Sequence, residues 1–306
     1  GYELTLTNIP NDDTGEIVNK VTLRNAACYF ENFTLVNAFS TNIDPPSEKI
    51  SGLLANVYLI FKMNTMQLRN LHYLAPLRGY PQRNYLLDNE SEDVGTSGEF
   101  TPYIMNKNQR RNVYGFFPPK DDVVNASVCQ EQFNEFIESW MEYLHFGKYS
   151  LESSLDSIQL SIENYNVSNV GFGVSQVLPI IVSGITKRTN EFLLLEQPEI
   201  HLHPRAQMNM ADFLLSMAMC DRGVIVETHS DHIINRLVRR MMEDSSLKDR
   251  VRIYFFDQSE DGITTVEEIK VDDVDGAICD NPNFFYQFAD ETMKIVDTGY
   301  KNSQKG

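Results

Sequence analysis

The feature that most constrains this chain is an alternation that begins near residue 150, where short apolar runs take turns with longer segments of helical period. EFLLLE, GVIVET and RIYFFD are the apolar runs. RAQMNMADFLLSMAMC lies between the first two and sets Ala206, Met210, Phe213 and Met217 on one helical face. SDHIINRLVRRMM follows the second run with Ile233, Leu237 and Met241 on one side. Runs with no polar alternation are the mark of strands covered on both faces, and such strands belong to parallel βαβ units. The expected class is therefore α/β, with a parallel sheet flanked by helices.

The rest of the chain reads differently. Residues 2–36 alternate with period two around the turn cluster NDDTGE, which predicts an N-terminal antiparallel β portion. The stretch from Ile50 to Leu74 is mixed and fits either helix or strand. Residues 75–124, with PLRGYPQRNY, DNESEDVGTSGE and FFPPKDD, are Pro-, Gly- and charge-rich and predict long loops with short elements. Phe133, Phe136, Trp140 and Leu144 predict a helix over 130–146, and SLDSIQLSIENY predicts a strand. TTVEEIKV adds a further strand, and the polar tail after Thr298 is expected to fray. The expected divisions are 1–74, β-rich; 75–149, a loop-rich insertion with a helix; 150–258, the α/β lobe; and 259–306, a C-terminal extension.

Charge and cysteine usage exclude some classes. Asp plus Glu total 43 against 26 Lys plus Arg, for a net charge of -17, so the surface repels nucleic acid on average. DNA contact then requires a local basic patch, and Arg236, Arg239 and Arg240 make the one candidate stripe, which reads equally as a solvated helix face. No stretch reaches the ~18 apolar residues of a membrane helix, and GYELTLTNIP lacks the layout of a signal peptide. Cys28, Cys129, Cys220 and Cys279 are scattered without a CxxC, which suits free thiols in a reducing cytoplasm. The start on Gly1 rather than Met predicts natural sequence continuing upstream.

Three segments carry candidate chemistry. In FLLLEQPEIHLHP the strand ends on Glu196, where α/β sheets bind ligands and where a carboxylate can serve the water shell of Mg²⁺. An apolar run ending in an acid is equally a capped strand end. In GVIVETHSDHI a second strand ends at Glu227, Thr228 and His229, Ser230 can cap the next helix, and Asp231 suits its first turn. A lone histidine there is also compatible with a structural role. In VGFGVSQVLPIIV, Gly171 and Gly173 allow a tight turn, and the N–H groups near Ser175 and Gln176 suit an anion, with Pro179 tolerated only in the first turn. His201, His203, Glu227 and His229 invite a zinc reading, since HxH on an extended segment puts both rings on one side, but no third ligand has a recognisable spacing. Met208, Met210, Met217 and Met219 read as core filler. Arg78 and Arg83 stand where a phosphate or a partner could be met.

Taken in order, these segments resemble the signature, Walker B, D-loop and switch-histidine elements of an ABC-type ATPase head. EQPEIHLHP at 196–204 with ETHSDH at 227–232 is similar to the RecF-like and overcoming-lysogenization-defect ATPases. HYLAPLRGYP, VGTSGE and NPNFFYQFADETMKI resemble a bacterial branch ending in a domain of unknown function. The resemblance covers most of residues 70–295. It implies a P-loop NTPase fold in which two heads sandwich ATP and Mg²⁺. Gly171, Gly173, Ser175 and Gln176 would then touch ATP bound to the partner, and Glu196 would stand at the Mg²⁺-coordinating position. Gln197 would orient the attacking water, His229 would contact the γ-phosphate, and His201, Leu202 and His203 would lie in the D-loop at the homodimer seam. It also implies a nuclease or toxin effector in anti-phage defence, with DNA repair as the second role.

Two departures from the family stand out. No GxxxxGK followed by Ser or Thr occurs, so the phosphate cradle is missing and the head is incomplete. The chain alone is expected to bind ATP weakly or not at all. Gln197 also replaces the usual glutamate, which predicts slow, switch-like turnover with Glu199 as an auxiliary, or a nucleotide-sensing scaffold with no significant hydrolysis.

Overall fold

The computed structural model describes residues 71–272 apart from 88–90, 125, 190 and 260, the strand backbone within 4–40, and the helical positions Lys294, Val296 and Tyr300. The expectations for the 50–70 stretch, the NDDTGE turn and the C-terminal tail lie outside the described residues. The chain divides into two units, Gly1–Leu71 and His72–Gly306. In the first, β1 (Leu4–Pro10), β2 (Ile17–Leu23), β3 (Ala26–Glu31) and β4 (Thr34–Ser40) form an antiparallel meander in sequence order. The period-two pattern of the sequence anticipates it.

The second unit carries the site. Its first half holds β5 (Leu71–Leu74), β6 (Tyr85–Leu86), α1 (Thr101–Asn108), β7 (Asn112–Gly115), β8 (Cys129–Gln132) and α2 (Phe133–Tyr143). Next come β9 (Tyr149–Ser153), β10 (Ser157–Ile162), β11 (Tyr165–Asn166) and α3 (Phe172–Thr186). The expected single strand over SLDSIQLSIENY is the central part of a small antiparallel sheet, in which β10 pairs with β9, β11 and β6. The remainder is β12 (Phe192–Glu196), α4 (Pro204–Met219), β13 (Gly223–Glu227), α5 (Asp231–Glu243), β14 (Ile253–Gln258) and β15 (Thr264–Ile269).

β12 and β13 are parallel neighbours joined by α4, and β5 borders β12 on its other side. The fold is thus mixed α/β with a parallel strand pair and flanking helices, as the first two apolar runs require; the third run, RIYFFD, departs from the expectation, since it forms β14 in a separate antiparallel pair with β15 and is largely exposed. Leu193 and Leu195 point into the core shared by α3 and α4, while Phe192 and Ile225 lie on the opposite, exposed face. Trp140 centres that core. Its indole N–H donates to the Phe116 carbonyl at 2.9 Å, and its ring meets Phe213 edge-on at 4.8 Å. Gly184 is glycine because Phe213 occupies the space a side chain would need, 2.5 Å from an added Cβ.

Three sequence expectations are corrected. Pro179 lies in the interior of α3, not in its first turn. Its ring packs against Gly98, whose φ of +72° and bare Cα allow a contact that any Cβ would block at 2.4 Å. Tertiary packing there outweighs the lost helical N–H. The arginines of α5 are a solvated face only at Arg239, and none of the three is a free basic patch. Arg240 is 1% exposed, and both it and Arg236 bond the buried carboxylate of Asp212, while Arg239 pairs with Asp122 and Glu243. Finally, the 201–203 stretch is not a continuous extended segment, since His203 keeps an extended backbone but His201 does not. His201 has φ 61°, and His203 caps α4 by accepting from the Arg205 N–H at 3.3 Å. Met210 and Met217 are fully buried core residues, and Cys129 and Cys220 are free thiols. Among the described residues no helix is long and apolar enough to cross a membrane.

Candidate functional site

The site grows from one register. β12 and β13 run parallel with Glu196 opposite Glu227, so both strands end level at their carboxyl tips. The chain then turns sharply. Gln197 adopts φ 45°, a left-handed conformation unusual for a residue with a side chain, and its N–H donates to the Glu227 carbonyl at 2.8 Å. Outliers of this kind cluster at functional sites. Pro198 cannot extend the ladder, and a second left-handed residue, His201, delivers the chain to Pro204 at the start of α4.

Glu196 is held from β5. The Tyr73 hydroxyl donates to Glu196 Oε1 at 2.8 Å, and Arg78 Nη2 donates to the Glu196 carbonyl at 2.8 Å. That bond to the carboxylate is the main reason the Tyr73 phenol titrates above its usual range. Arg78 is only 4% exposed, and burial lowers its pKa to about 10, partly offset by the nearby negative charge of Glu199. Its Nε and Nη1 have no hydrogen-bond partner, so a buried cation at this tip is held by one strong bond and by charge.

Glu199 reaches across to the second strand. Its carboxylate accepts from the Thr228 hydroxyl at 2.8 Å and from the His229 backbone N–H at 2.7 Å. Beyond it, Ser230 caps α5 by accepting from the Ile233 N–H at 3.2 Å, with Asp231 in the first turn, as the sequence predicts. His229 itself is exposed. Glu196, Gln197 and His229 thus sit on two adjoining strand ends and the turns that leave them.

The glycine segment opens α3 close by. Gly171 is the N-cap and offers no side-chain cap, so the first N–H groups of α3 are open. Gly173 lies against the 197–203 turn, where an added Cβ would come within 3.0 Å of the His201 carbonyl. Phe172 meets Tyr80 edge-on and lies tilted against His201, with ring centroids 5.5 and 5.6 Å away. The Ser175 hydroxyl bonds the Phe172 carbonyl. Gln176 is not presented outward: it is 3% exposed, and its amide donates to the Arg78 carbonyl at 3.5 Å. Sequence reasoning missed Tyr73 altogether and saw Arg78 and Glu199 only as loose candidates. The signal within reach was the strand-then-arginine order of LHYLAPLR.

Among the described residues no group of three His, Cys, Asp or Glu comes together as metal ligands, and His201, His203, Glu227 and His229 form no such group. One carboxylate beside phosphate and water is a different donor set. Mg²⁺ typically takes just that, and Glu196 fits it, with Tyr73 bonded to one carboxylate oxygen.

Residues 100–234 match the sequence profile of the AAA ATPase domain family, a stretch that contains α3, both strand tips and His229. No curated protein matches the chain. Among solved structures, one from work on ATP-driven dimerization and DNA-stimulated activation of SMC ATPases aligns over 45% of this chain and 83% of its own, at 13% identity and a TM-score of 0.34.

Proposed function

We propose that this chain is the C-terminal part of a cytoplasmic ABC-type ATPase head that binds and hydrolyses ATP with Mg²⁺. The observation that carries the reading is the level pairing of Glu196 with Glu227, which brings Glu196, Gln197 and the His229 turn to one end of a parallel strand pair. The profile match over 100–234 supports the same class. Glu196 would hold the cation, whose charge when bound stabilises the transferring phosphoryl group. Gln197 would orient water and His229 would meet the terminal phosphate. Gly171, Gly173 and Ser175, beside the open start of α3, would face nucleotide on a second copy of the head.

The phosphate cradle has to come from elsewhere, because no Walker A sequence occurs in these residues. The sheet supports that. Parallel strands are normally covered on both faces, yet among the described residues Phe192 and Ile225 stand 43% and 53% exposed on one face of β12 and β13. A strand–loop–helix unit beside β13 would cover them and bring phosphate-binding N–H groups to the strand tips. Carried over from the resemblance, the ATP-bound homodimer would control a nuclease or toxin effector in anti-phage defence, with DNA repair as the second role. DNA contact would need a surface other than the α5 arginines, since Asp212, Asp122 and Glu243 neutralise them.

The test is a titration of Mg-ATP and an assay of phosphate release, on the 306-residue chain and on the same chain joined to its phosphate-loop segment. The expected result is neither activity in the first and both in the second. Tight Mg-ATP binding by the chain alone overturns the reading.

Gln197 favours a second reading, a nucleotide-sensing scaffold, because an amide cannot take a proton from water. A positioned general base contributes about 10²–10⁴-fold, so Gln197→Glu in the intact protein is expected to raise phosphate release by about 10²-fold, the low end of that range. An unchanged rate means that residue 197 does not face the attacking water.

A further inference from the structure

We propose that Glu199 is a positioning residue for His229, and that a closed hydrogen-bonded ring makes the 198–203 turn and the His229 turn move as one unit. The proposal rests on the ATPase reading for its catalytic consequence but not for its geometry.

The ring can be followed bond by bond. The Glu199 carboxylate accepts from the Thr228 hydroxyl and from the His229 N–H. The Thr228 oxygen accepts in turn from the Ser230 N–H at 3.0 Å, and the Ser230 hydroxyl donates to Gln207 Oε1 at 2.6 Å. The Gln207 amide donates to the Leu202 carbonyl at 2.9 Å, and the Leu202 N–H closes the circuit on the Glu199 carbonyl at 3.0 Å. Three of the contacts cross between the two segments, Glu199 to Thr228, Glu199 to the His229 N–H and Ser230 to Gln207, and the local bonds within each segment join them into one circuit. Two of the bonds end on an ionised carboxylate, the stronger kind, and bonds in a chain reinforce one another. Arg78, buried beside Glu196, adds the attraction of its charge to Glu199.

The placement argues against a purely structural brace. Glu199 does not bond a core residue. It bonds the backbone N–H of His229, between the end of β13 and the cap of α5, and leaves the imidazole exposed. Without the carboxylate, residues 228 and 229 lose their only link to the β12 side of the tip among the described hydrogen bonds, while the α5 cap at Ser230 survives.

Two measurements test this. In the 306-residue chain, hydrogen exchange at the His229 amide is expected to be protected in wild type and to speed up about 10-fold or more in Glu199→Ala, with core amides unchanged. In the intact protein, single-turnover ATP hydrolysis is measured for wild type, Glu199→Ala, His229→Ala and the double variant. If Glu199 acts through His229, Glu199→Ala slows the step about 10-fold or more with little change in ATP affinity, yet adds no more than about 2-fold to His229→Ala. Additive losses, or an unprotected His229 amide in wild type, overturn the proposal. Should Glu199→Ala fail to fold, Glu199→Gln preserves the shape and an oxygen for the His229 N–H but places an N–H where Thr228 donates. It is expected to give an intermediate loss, and wild-type behaviour in both measurements would overturn the proposal. If the intact wild type hydrolyses no ATP, the ATPase reading fails, while the exchange measurement still decides whether Glu199 holds His229.

Discussion

Asp212→Ala is expected to destabilise the fold by about 3–5 kcal/mol, the range for breaking a buried ion pair by removing one partner. Asp212 is fully buried on α4 and accepts four hydrogen bonds: from the Tyr143 hydroxyl at 2.6 Å, Arg236 Nη1 at 2.8 Å, and Arg240 Nε and Nη2 at 2.8 and 3.1 Å. Burial works against the charge of Arg240, yet Asp212, Glu243 and Asp122 outweigh it and hold the guanidinium above its usual pKa. Burial, then the Asp212 carboxylate, pushes the Tyr143 phenol up likewise. Deleting Asp212 takes the acceptor from these donors, among them the fully buried Arg240 guanidinium. Against a typical total of about 5–15 kcal/mol, that loss is a large fraction of the stability. Urea unfolding checks it through the midpoint at constant slope. Asp122, at 55% side-chain exposure, is the internal control: its loss should cost no more than about 1 kcal/mol, because solvent screens it. A small effect at Asp212 would mean that water enters the cluster.

That cluster also marks where sequence reading stops. The strands at 192–196 and 223–227 were legible because an uninterrupted apolar run has few alternatives in a soluble chain. Ser230 was legible as a cap because capping is local. The α5 arginines were not, since Arg240 meets Asp122 across 118 positions and Asp212 across 28, and helical period alone does not say which polar face finds a buried acid. Pro179 was misplaced for a similar reason: the space that accepts its ring is made by Gly98, far upstream. The tip chemistry divides the same way. That Glu196 ends a strand is written in FLLLE, but Tyr73, Arg78 and Glu199 hold the tip through contacts that only the folded sheet creates. Gln176 shows the converse, a residue whose motif position suggests an outward role and whose side chain is spent inside.

In the intact protein, Glu196→Gln is expected to lower phosphate release by about 10²–10³-fold while the fold and ATP binding persist, because a metal's charge supplies several kcal/mol in the transition state and each ~1.4 kcal/mol is tenfold. The substitution is conservative everywhere except in charge. Glutamine keeps an oxygen for the Tyr73 hydroxyl, and the Arg78 bond goes to the backbone carbonyl, which no side-chain change removes. The strand register and the Gln197 N–H to Glu227 bond are likewise independent of the side chain. The melting temperature should therefore stay near wild type, which separates a chemical loss from a structural one. Tyr73→Phe gives the graded comparison. It removes one hydrogen bond to the same carboxylate, and loss of an outer-shell partner typically costs about 10–100-fold in metal affinity or activity, so its defect should be smaller and partly relieved by raising Mg²⁺. Glu196→Gln should not be relieved, since the missing ligand is the charge itself. Equal phosphate release by Glu196→Gln and wild type would remove Glu196 from the reaction and, with it, the assignment of the β12 and β13 tips as the hydrolytic site.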